Sequence, residues 1–210
     1  MIVNNHIKTK FEKSIGNGTT GSYFLPFYWF YKYGYFAQIY SKQELGVGAP
    51  VWIKGIRLEQ GRISDGQTIR TALNQNIKLG QVNSVEFGTG VRNDMTSLDA
   101  NWSSSNIQPC KTNFSVYIPV SGQSFRDYMF DTPYRYDPTS TDEHLVLLWE
   151  NRWGVYEDGS LNPRANGTPD GLYNVLYDYQ DPSMPNSFDI GTRTNSSAWA
   201  RTNIQLIFEV

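Results

Sequence analysis

The sequence has little of the residue types on which most catalytic and metal sites are built. It contains one cysteine, Cys110, and two histidines, His6 and His144, among 210 residues. A single cysteine excludes an internal disulfide and a metal site made of several cysteines. The histidines stand in no spacing typical of a metal pair or of a nucleophile with its base. We therefore predict a buried Cys110, a structural His144, no cofactor or metal, and no enzymatic activity.

The sequence also lacks excess charge and long apolar runs. The net charge is -2, so no basic field is available to attract a nucleic acid backbone. The longest apolar and aromatic stretch, residues 23–35, is interrupted by Pro26, Lys32 and Gly34. It is shorter than the roughly 20 residues that a membrane-spanning helix needs. The polar N-terminus has no apolar region typical of a signal peptide. We expect neither nucleic acid nor membrane as a partner.

What the sequence does contain is a series of short strand signals separated by polar loops. These signals lie at residues 51–58, 71–82, 114–120, 131–136, 145–149, 172–179 and 204–210. Such a pattern favours a sandwich or jelly roll over a parallel α/β sheet. We predict an all-β fold with a single jelly-roll-like β-sandwich at residues 15–210, preceded by an extended arm at residues 1–14.

At most one or two short helical turns are predicted. The clearest is at residues 41–45, where Ser41 can cap the free N–H groups and Glu44 follows at the spacing of a capping box. Gly46 and Gly48 then end the turn.

Residues 131–152 are predicted to form the centre of the fold. The alternation around Arg135 indicates one strand, and the apolar run at residues 145–149 suits a strand buried on both faces. Residues 137–141 between them favour a tight turn, because Pro138 fixes φ and the Asp and Ser side chains can bond nearby backbone N–H groups. We interpret this segment as a β-hairpin.

Aromatic side chains are the most promising material for a binding surface. The candidates are Tyr28, Trp29, Tyr31, Tyr33 and Tyr35. Exposed rings of this kind either stack on sugars or anchor a protein interface, and some of them must instead fill the core.

Two polar segments are predicted to contact a partner. The first is the long loop at residues 88–110, which is rich in Asn, Asp, Ser and Gly and carries Asp94, Asp99 and Trp102. The second is the turn that contains Asp137, Pro138 and Asp142. Calcium binding at Asp94 with Asp99, or at Asp178 with Asp181, is the alternative to ordinary turn capping by Asp.

One carboxylate pair is compatible with glycoside hydrolysis. Asp131 and Glu150 stand on the two strands of the predicted hairpin and so are expected on adjacent strands. The competing interpretation is that Asp131 ends a strand and Glu150 is solvated. Motifs for other hydrolases and for phosphate binding do not occur.

Several short motifs occur in an order that resembles a known family. They are Ile15–Gly18 (IGNG), Ile39–Leu45 (IYSKQEL), Ile77–Gly80 (IKLG), Trp102 and Thr132–Val146 (TPYRYDPTSTDEHLV). In this order the chain resembles a β-sandwich module of bacterial surface and secreted proteins, which also occurs alone among phage-encoded proteins. Pro138 stands where the module usually has Gly, and His144 where it usually has Asn. The turn between them is therefore expected to be longer and differently shaped.

The resemblance and the missing signal peptide together suggest a component of a phage virion, made in the host cytoplasm. The expected role is structural, in capsid decoration or in the neck, tail or fibre. Its expected partners are other virion proteins and further copies of itself. The alternative is a carbohydrate-binding or adhesin module that recognises host glycans through its exposed tyrosines and Trp29.

Overall fold

The protein is described from a computed structural model, which covers residues 9–16, 20–21, 31–60, 70–87, 107–118, 124–155, 164–166, 172–181, 192–194 and 201–210. One short helix, α1 (Lys42–Leu45), accompanies thirteen strands in this part of the chain. The strands are β1 (Lys10–Ile15), β2 (Thr20–Gly21), β3 (Tyr33–Tyr40), β4 (Val51–Gln60), β5 (Arg70–Val82), β6 (Gln108–Ile118), β7 (Ser124–Tyr136), β8 (His144–Asn151), β9 (Arg164–Asn166), β10 (Val175–Gln180), β11 (Thr192–Thr194), β12 (Arg201–Thr202) and β13 (Ile204–Glu209).

Two antiparallel sheets pack against each other as a sandwich. The four-stranded sheet has the order β1-β13-β4-β7, and the six-stranded sheet has the order β11-β10-β3-β8-β5-β6. A small third sheet joins β12, β9 and β2. The predicted all-β sandwich is therefore confirmed, with the single short helix that was expected.

The core lies between the two sheets and is rich in aromatic residues. Trp149 packs edge-on against Phe114 and Tyr128, with ring centroids 5.3 and 5.2 Å away. The side chains at 204, 206 and 208 of β13 are buried as the alternation predicted, and Cys110 is buried as expected. A second apolar cluster covers the other face of the six-stranded sheet. All eight residues of β8 are consequently buried, which confirms a strand covered on both faces.

The predicted hairpin at the centre of the fold is wrong. β7 pairs with β4 in the four-stranded sheet, whereas β8 pairs with β3 and β5 in the six-stranded sheet. The turn at residues 137–143 therefore connects the two layers of the sandwich. Its turn chemistry was interpreted correctly, but the same chemistry serves a connection within a sheet and one between sheets.

The described part of the predicted N-terminal arm is extended and belongs to a sheet. Residues 10–15 form β1, which pairs along its whole length with β13. Part of the arm is thus an edge strand of the four-stranded sheet. Residues 1–8 lie outside the described part of the chain.

Helix α1 has the capping predicted for it. The Ser41 hydroxyl accepts a hydrogen bond from the Glu44 N–H, and the Glu44 carboxylate accepts one from the Ser41 N–H. Gly46 ends the helix with φ +63°, in the left-handed region that favours glycine. These contacts are local, so the sequence sufficed to predict them.

Candidate interaction surface

The predicted aromatic surface is divided by the structure. Tyr35 is only 1% exposed and packs in the second apolar cluster, so this ring cannot present a surface for stacking. It is buried because β3 is an interior strand with both faces covered. Tyr33 is half-buried beside Gly154, and Tyr31 is exposed. Tyr28 and Trp29 lie outside the described residues.

Tyr31 belongs to a short stack of tyrosine rings at the end of β10. Its ring stacks on that of Tyr179 with a centroid distance of 5.7 Å, and Tyr179 packs against Tyr177 at 5.5 Å. The backbone N–H of the neighbouring Lys32 donates to the Asp181 carboxylate. The exposed end of this stack is the part of the predicted aromatic surface that the structure retains.

The Gln81 side chain makes several hydrogen bonds to the predicted partner-contacting turn. Gln81 of β5 donates from Nε2 to the backbone oxygens of Asp137 and Asp142, at 2.8 and 2.5 Å, and accepts from the Asp137 N–H. The Asp137 carboxylate accepts bonds from the N–H and hydroxyl of Thr139. These bonds from Thr139 hold the pKa of Asp137 below its usual value. The turn has a defined shape.

Within this turn, the predicted contact residues differ in their exposure. Pro138 is buried, because the turn folds back onto the sandwich, so little of its side chain is available to a partner. Asp137 and Asp142 remain partly exposed. The other predicted loop residues, Asp94, Asp99 and Trp102, lie outside the described part of the chain.

The carboxylate pair considered for catalysis is not brought together by adjacent strands. Asp131 belongs to β7 in the four-stranded sheet and its side chain is 64% exposed, whereas Glu150 belongs to β8 in the six-stranded sheet and is fully buried. The expectation that Glu150 is solvated is therefore also wrong. Its immediate partners are cations and an amide.

Glu150 is the centre of a buried polar cluster. Its carboxylate accepts hydrogen bonds from Lys78 Nζ at 2.7 Å, Arg152 Nε at 2.9 Å and Asn76 Nδ2 at 3.1 Å. Burial opposes ionisation, but the bond from Arg152 and the charge of Lys78 outweigh it and lower the pKa of Glu150. Asn76 in turn accepts from the N–H of Asn113, which has φ +51°. The cluster stabilises the junction of β5, β6 and β8.

His144 forms no catalytic pair among the described residues, and His6 lies outside them. His144 is buried, and its Nδ1 accepts the N–H of Lys42 at the start of α1. This contact gives His144 the structural role predicted for it. No group of three or more His, Cys, Asp or Glu side chains that is suited to a metal ion occurs in the described ranges. Within the same ranges, no helix is long and apolar enough to cross a membrane.

A further surface feature is the side of the four-stranded sheet that faces away from the core, here called the outer face. Its centre is Arg57 on β4. The guanidinium donates to Asp127 on β7 through Nε at 2.5 Å and Nη2 at 3.0 Å. From Nη1 it donates to Gln205 on β13 at 2.8 Å and to Glu12 on β1 at 3.2 Å. One arginine thus links all four strands of the sheet.

The register explains this arrangement. Gln205, Arg57 and Asp127 are direct cross-strand neighbours, so they form a row perpendicular to the strands. The hydrogen bonds from Arg57 lower the pKa of Asp127, and those same bonds to Asp127 raise the pKa of Arg57. The row therefore keeps its charges over the whole physiological pH range, and its hydrogen bonds connect the four strands across the outer face.

Large apolar side chains share the outer face with the Arg57 row. Trp52 is 44% exposed, Met129 is 42% exposed and Phe125 is 64% exposed. Trp, Phe, Met and Arg are enriched in protein interfaces, whereas isolated exposed apolar residues are common on any surface. What distinguishes these three is that they share one sheet face with a central arginine.

The residues of the outer face were not predicted as a site. A signal for them is present in the sequence, because Trp52 occupies the polar side of the alternating strand at residues 51–58. In β7, Phe125, Asp127 and Met129 alternate with the buried Tyr128 and Phe130. What local alternation does not show is that β4 and β7 are neighbours.

The comparisons with known proteins add no family. No protein-family model matches the chain, and no curated protein matches it significantly. What the structure supports of the resemblance seen in the sequence is the coarse architecture, two antiparallel sheets packed as a sandwich. The outer face and the buried clusters are accordingly interpreted from their own chemistry.

Proposed function

We propose that this chain is a non-enzymatic structural protein of a phage particle and that it acts through protein–protein contacts of its outer face. The observation that carries the proposal is that Trp52, Phe125 and Met129 share one open sheet face with Arg57. Large aromatic side chains and arginine are the residue types enriched at interface hot spots.

The chemistry of the rest of the described chain agrees with a structural role. Glu150, the most buried carboxylate, is held by Lys78, Arg152 and Asn76 within the sheet. His144 Nδ1 accepts a hydrogen bond from the Lys42 N–H at the start of α1. These groups stabilise the sandwich. The assignment to a virion rests on the resemblance to phage-encoded sandwich modules, and the outer face supplies the surface that such an assembly protein needs.

Analysis of purified particles of the phage that encodes the chain tests whether the protein is a virion component. Mass spectrometry is expected to detect the protein in stoichiometric amounts relative to a known capsid or tail protein. Its absence from particles that carry the full set of other structural proteins would exclude a virion role.

The contribution of the outer face is tested by variants. We expect the pair Trp52→Ser and Phe125→Ser to lower incorporation at least about tenfold, since buried aromatic anchors each contribute on the order of 2 kcal/mol. Leu73→Ser is the matched control, because Leu73 is 46% exposed but lies on β5 of the other sheet. Incorporation of the double variant at the level of the control would contradict the assignment of the interface to the outer face.

A carbohydrate-binding function is the second candidate, and the stacked tyrosines favour it. Tyr31 and Tyr179 form an aromatic stack whose outer ring is exposed, an arrangement on which a sugar ring can pack. A glycan array with the wild type, Tyr31→Ala and Tyr117→Ala distinguishes this function, and Tyr117 is the control because it is 41% exposed but lies on β6. A sugar signal that Tyr31→Ala loses and Tyr117→Ala keeps would support it, and a folded wild type without any signal would exclude it for the glycans on the array.

A further inference from the structure

The edge of the four-stranded sheet carries an inference about self-association. β1 is the terminal strand of this sheet and, among the described strands, pairs only with β13. The Val210 N–H donates to the Thr9 oxygen at 3.1 Å, so the backbone of Thr9 faces β13. Because backbone groups alternate along an antiparallel strand, those of Lys10, Glu12 and Ser14 face the edge. They form a row of donors and acceptors suited to a further strand.

The side chains of β1 are arranged for a partner strand of the same sequence. Lys10, Phe11 and Glu12 are all exposed. Phe11 stacks on Phe208 with a ring centroid distance of 4.9 Å, which fixes the position of its ring. Lys10 and Glu12 stand two residues apart, on the opposite side of the strand from Phe11, and carry opposite charges.

We propose that a second copy of this chain pairs its β1 with this edge, antiparallel and centred on Phe11. A two-fold axis makes each contact occur twice. With Phe11 at the centre, Lys10 lies opposite Glu12 of the second copy, and Glu12 lies opposite its Lys10. Both backbones present their edge-facing groups at these positions, so both pairs are hydrogen-bonded pairs. The two sheets then form one continuous sheet across the dimer.

Neighbouring registers are unfavourable. Centring the pairing on Glu12 places two carboxylates opposite each other, and centring it on Lys10 or Lys13 places two ammonium groups opposite each other. Like charges directly across a strand pair destabilise it, whereas opposite charges stabilise it. Charged residues often protect an edge from pairing, but here their alternation in sign favours one self-complementary register.

This inference deepens the proposed function, because it names a second copy of the chain as one partner. It can fail without the proposed function, since self-association is measured on the purified protein and virion incorporation on particles. Conversely, if the purified protein dimerises but is absent from particles, the edge pairing stands and the virion role fails.

Cysteine cross-linking tests the register. In the proposed dimer Phe11 forms a non-hydrogen-bonded pair with its own copy, where Cα atoms are about 4.5 Å apart, within the range that a disulfide bridges. Phe11→Cys is therefore expected to give a disulfide-linked dimer under mild oxidation. Ser14→Cys is the matched control, because its two copies are separated by six residues, or about 20 Å. The native Cys110 is buried. Equal cross-linking of both variants, or of neither, would overturn the register.

Charge reversal tests the pairing itself by sedimentation. Lys10→Glu makes both charged positions acidic and Glu12→Lys makes both basic, so each variant alone is expected to dimerise at least about tenfold more weakly than the wild type. An equimolar mixture restores both opposite-charge pairs and is expected to form a heterodimer. Glu12→Lys removes one hydrogen bond from Arg57, which still donates to Asp127 and Gln205. Circular dichroism verifies the fold of this variant. A wild type that stays monomeric, or folded variants that do not associate when mixed, would overturn the proposal.

Discussion

The carboxylate of Glu150 lies 2.7 Å from the ammonium of Lys78, and this pair joins β8 to β5 inside the six-stranded sheet. The Glu150 side chain is fully buried, whereas that of Lys78 is 25% exposed. Removing a carboxylate from water is costly unless several donors replace the lost hydration. Lys78, Arg152 and Asn76 provide those donors. The pair is therefore a structural contact, and its loss is expected to lower the free energy of unfolding.

Lys78→Met is expected to lower the free energy of unfolding by about 2–3 kcal/mol at pH 7, because it leaves Glu150 buried with one cation fewer. The lowered pKa of Glu150 contributes stability above pH 4.5, its ordinary value, which is lost as the pH falls through the lower pKa of the folded state. The deficit of the variant should therefore shrink in acid. Urea unfolding at pH 7 and pH 4 measures both effects.

Lys111→Met is the control for this measurement. Lys111 also pairs with a carboxylate, but Asp131 is exposed and 3.5 Å away. An exposed pair of this kind contributes at most about 1 kcal/mol. Equal losses in the two variants would show that the burial of Glu150 has no energetic consequence.

Local patterns predicted those parts of the fold that depend on neighbours in sequence. Ser41 and Glu44 predicted the capping box, and the apolar run in β8 predicted a strand buried on both faces. Burial of Cys110 followed from its chemistry alone. Each of these features is decided within a few residues.

The features that were mispredicted depend on which strands are neighbours. The segment between Tyr136 and His144 has ordinary turn residues, and nothing in them distinguishes a hairpin from a connection between sheets. The same ambiguity led to the wrong prediction that Asp131 and Glu150 lie on adjacent strands. The Arg57 row was missed because it assembles residues from β1, β4, β7 and β13, which are far apart in the chain.

His144 is expected to make stability dependent on pH in mildly acidic solution. Burial lowers its pKa, the Glu143 charge opposes this and the Lys42 charge adds to it, while Glu44 on α1 also opposes it. The folded protein keeps the imidazole neutral with Nδ1 as acceptor for the Lys42 N–H. The unfolded chain takes up a proton below its ordinary value of 6.5, so stability must fall as the pH drops from 6.5 toward 5.

The variant His144→Asn keeps an acceptor near the position of Nδ1 but cannot take up a proton. Its stability is expected to stay level between pH 6.5 and 5, the range above the ordinary pKa of the carboxylates. His6 is present in both proteins, so the difference between their unfolding curves isolates His144. Parallel curves for the two proteins across this range would contradict the neutral, buried state of His144.

Arg201 joins the short strand β12 to α1 and β3. Its Nη1 donates to the Ile39 oxygen and to Glu44 Oε2, both at 2.9 Å, and its Nη2 donates to Glu44 Oε1. The guanidinium also lies 4.8 Å from the centre of the Tyr40 ring. A lysine keeps the charge but cannot reproduce the two-pronged contact or the stacking.

We therefore expect Arg201→Lys to lower the free energy of unfolding by about 2 kcal/mol. Arg135→Lys is the matched control, because Arg135 is largely exposed and 3.7 Å from Asp137, and a change within about 0.5 kcal/mol is expected. Chemical denaturation of both variants measures the two changes in the free energy of unfolding. A tolerated Arg201→Lys would mean that only the positive charge matters at this position.

Gly55 allows β4 to approach β7 closely at the irregular step in their pairing. A Cβ at this position would lie 2.9 Å from the Tyr128 oxygen and 3.1 Å from the Met129 Cα, both of them backbone atoms. Since backbone cannot move aside as a flexible side chain does, Gly55→Ala is expected to cost about 1–3 kcal/mol. It should also disturb the outer face, because Met129 lies on that face.

Gly48→Ala provides the comparison for this change. No atom lies within 4 Å of a Cβ built at Gly48, and its φ is outside the left-handed region, so alanine is expected to be neutral or to stabilise by about 0.4–1 kcal/mol. Thermal unfolding of the two variants separates steric contact from the general effect of replacing glycine. If both alanines raise the melting temperature alike, the strands have room to separate at Gly55, and the outer face is less rigidly fixed than the row centred on Arg57 implies.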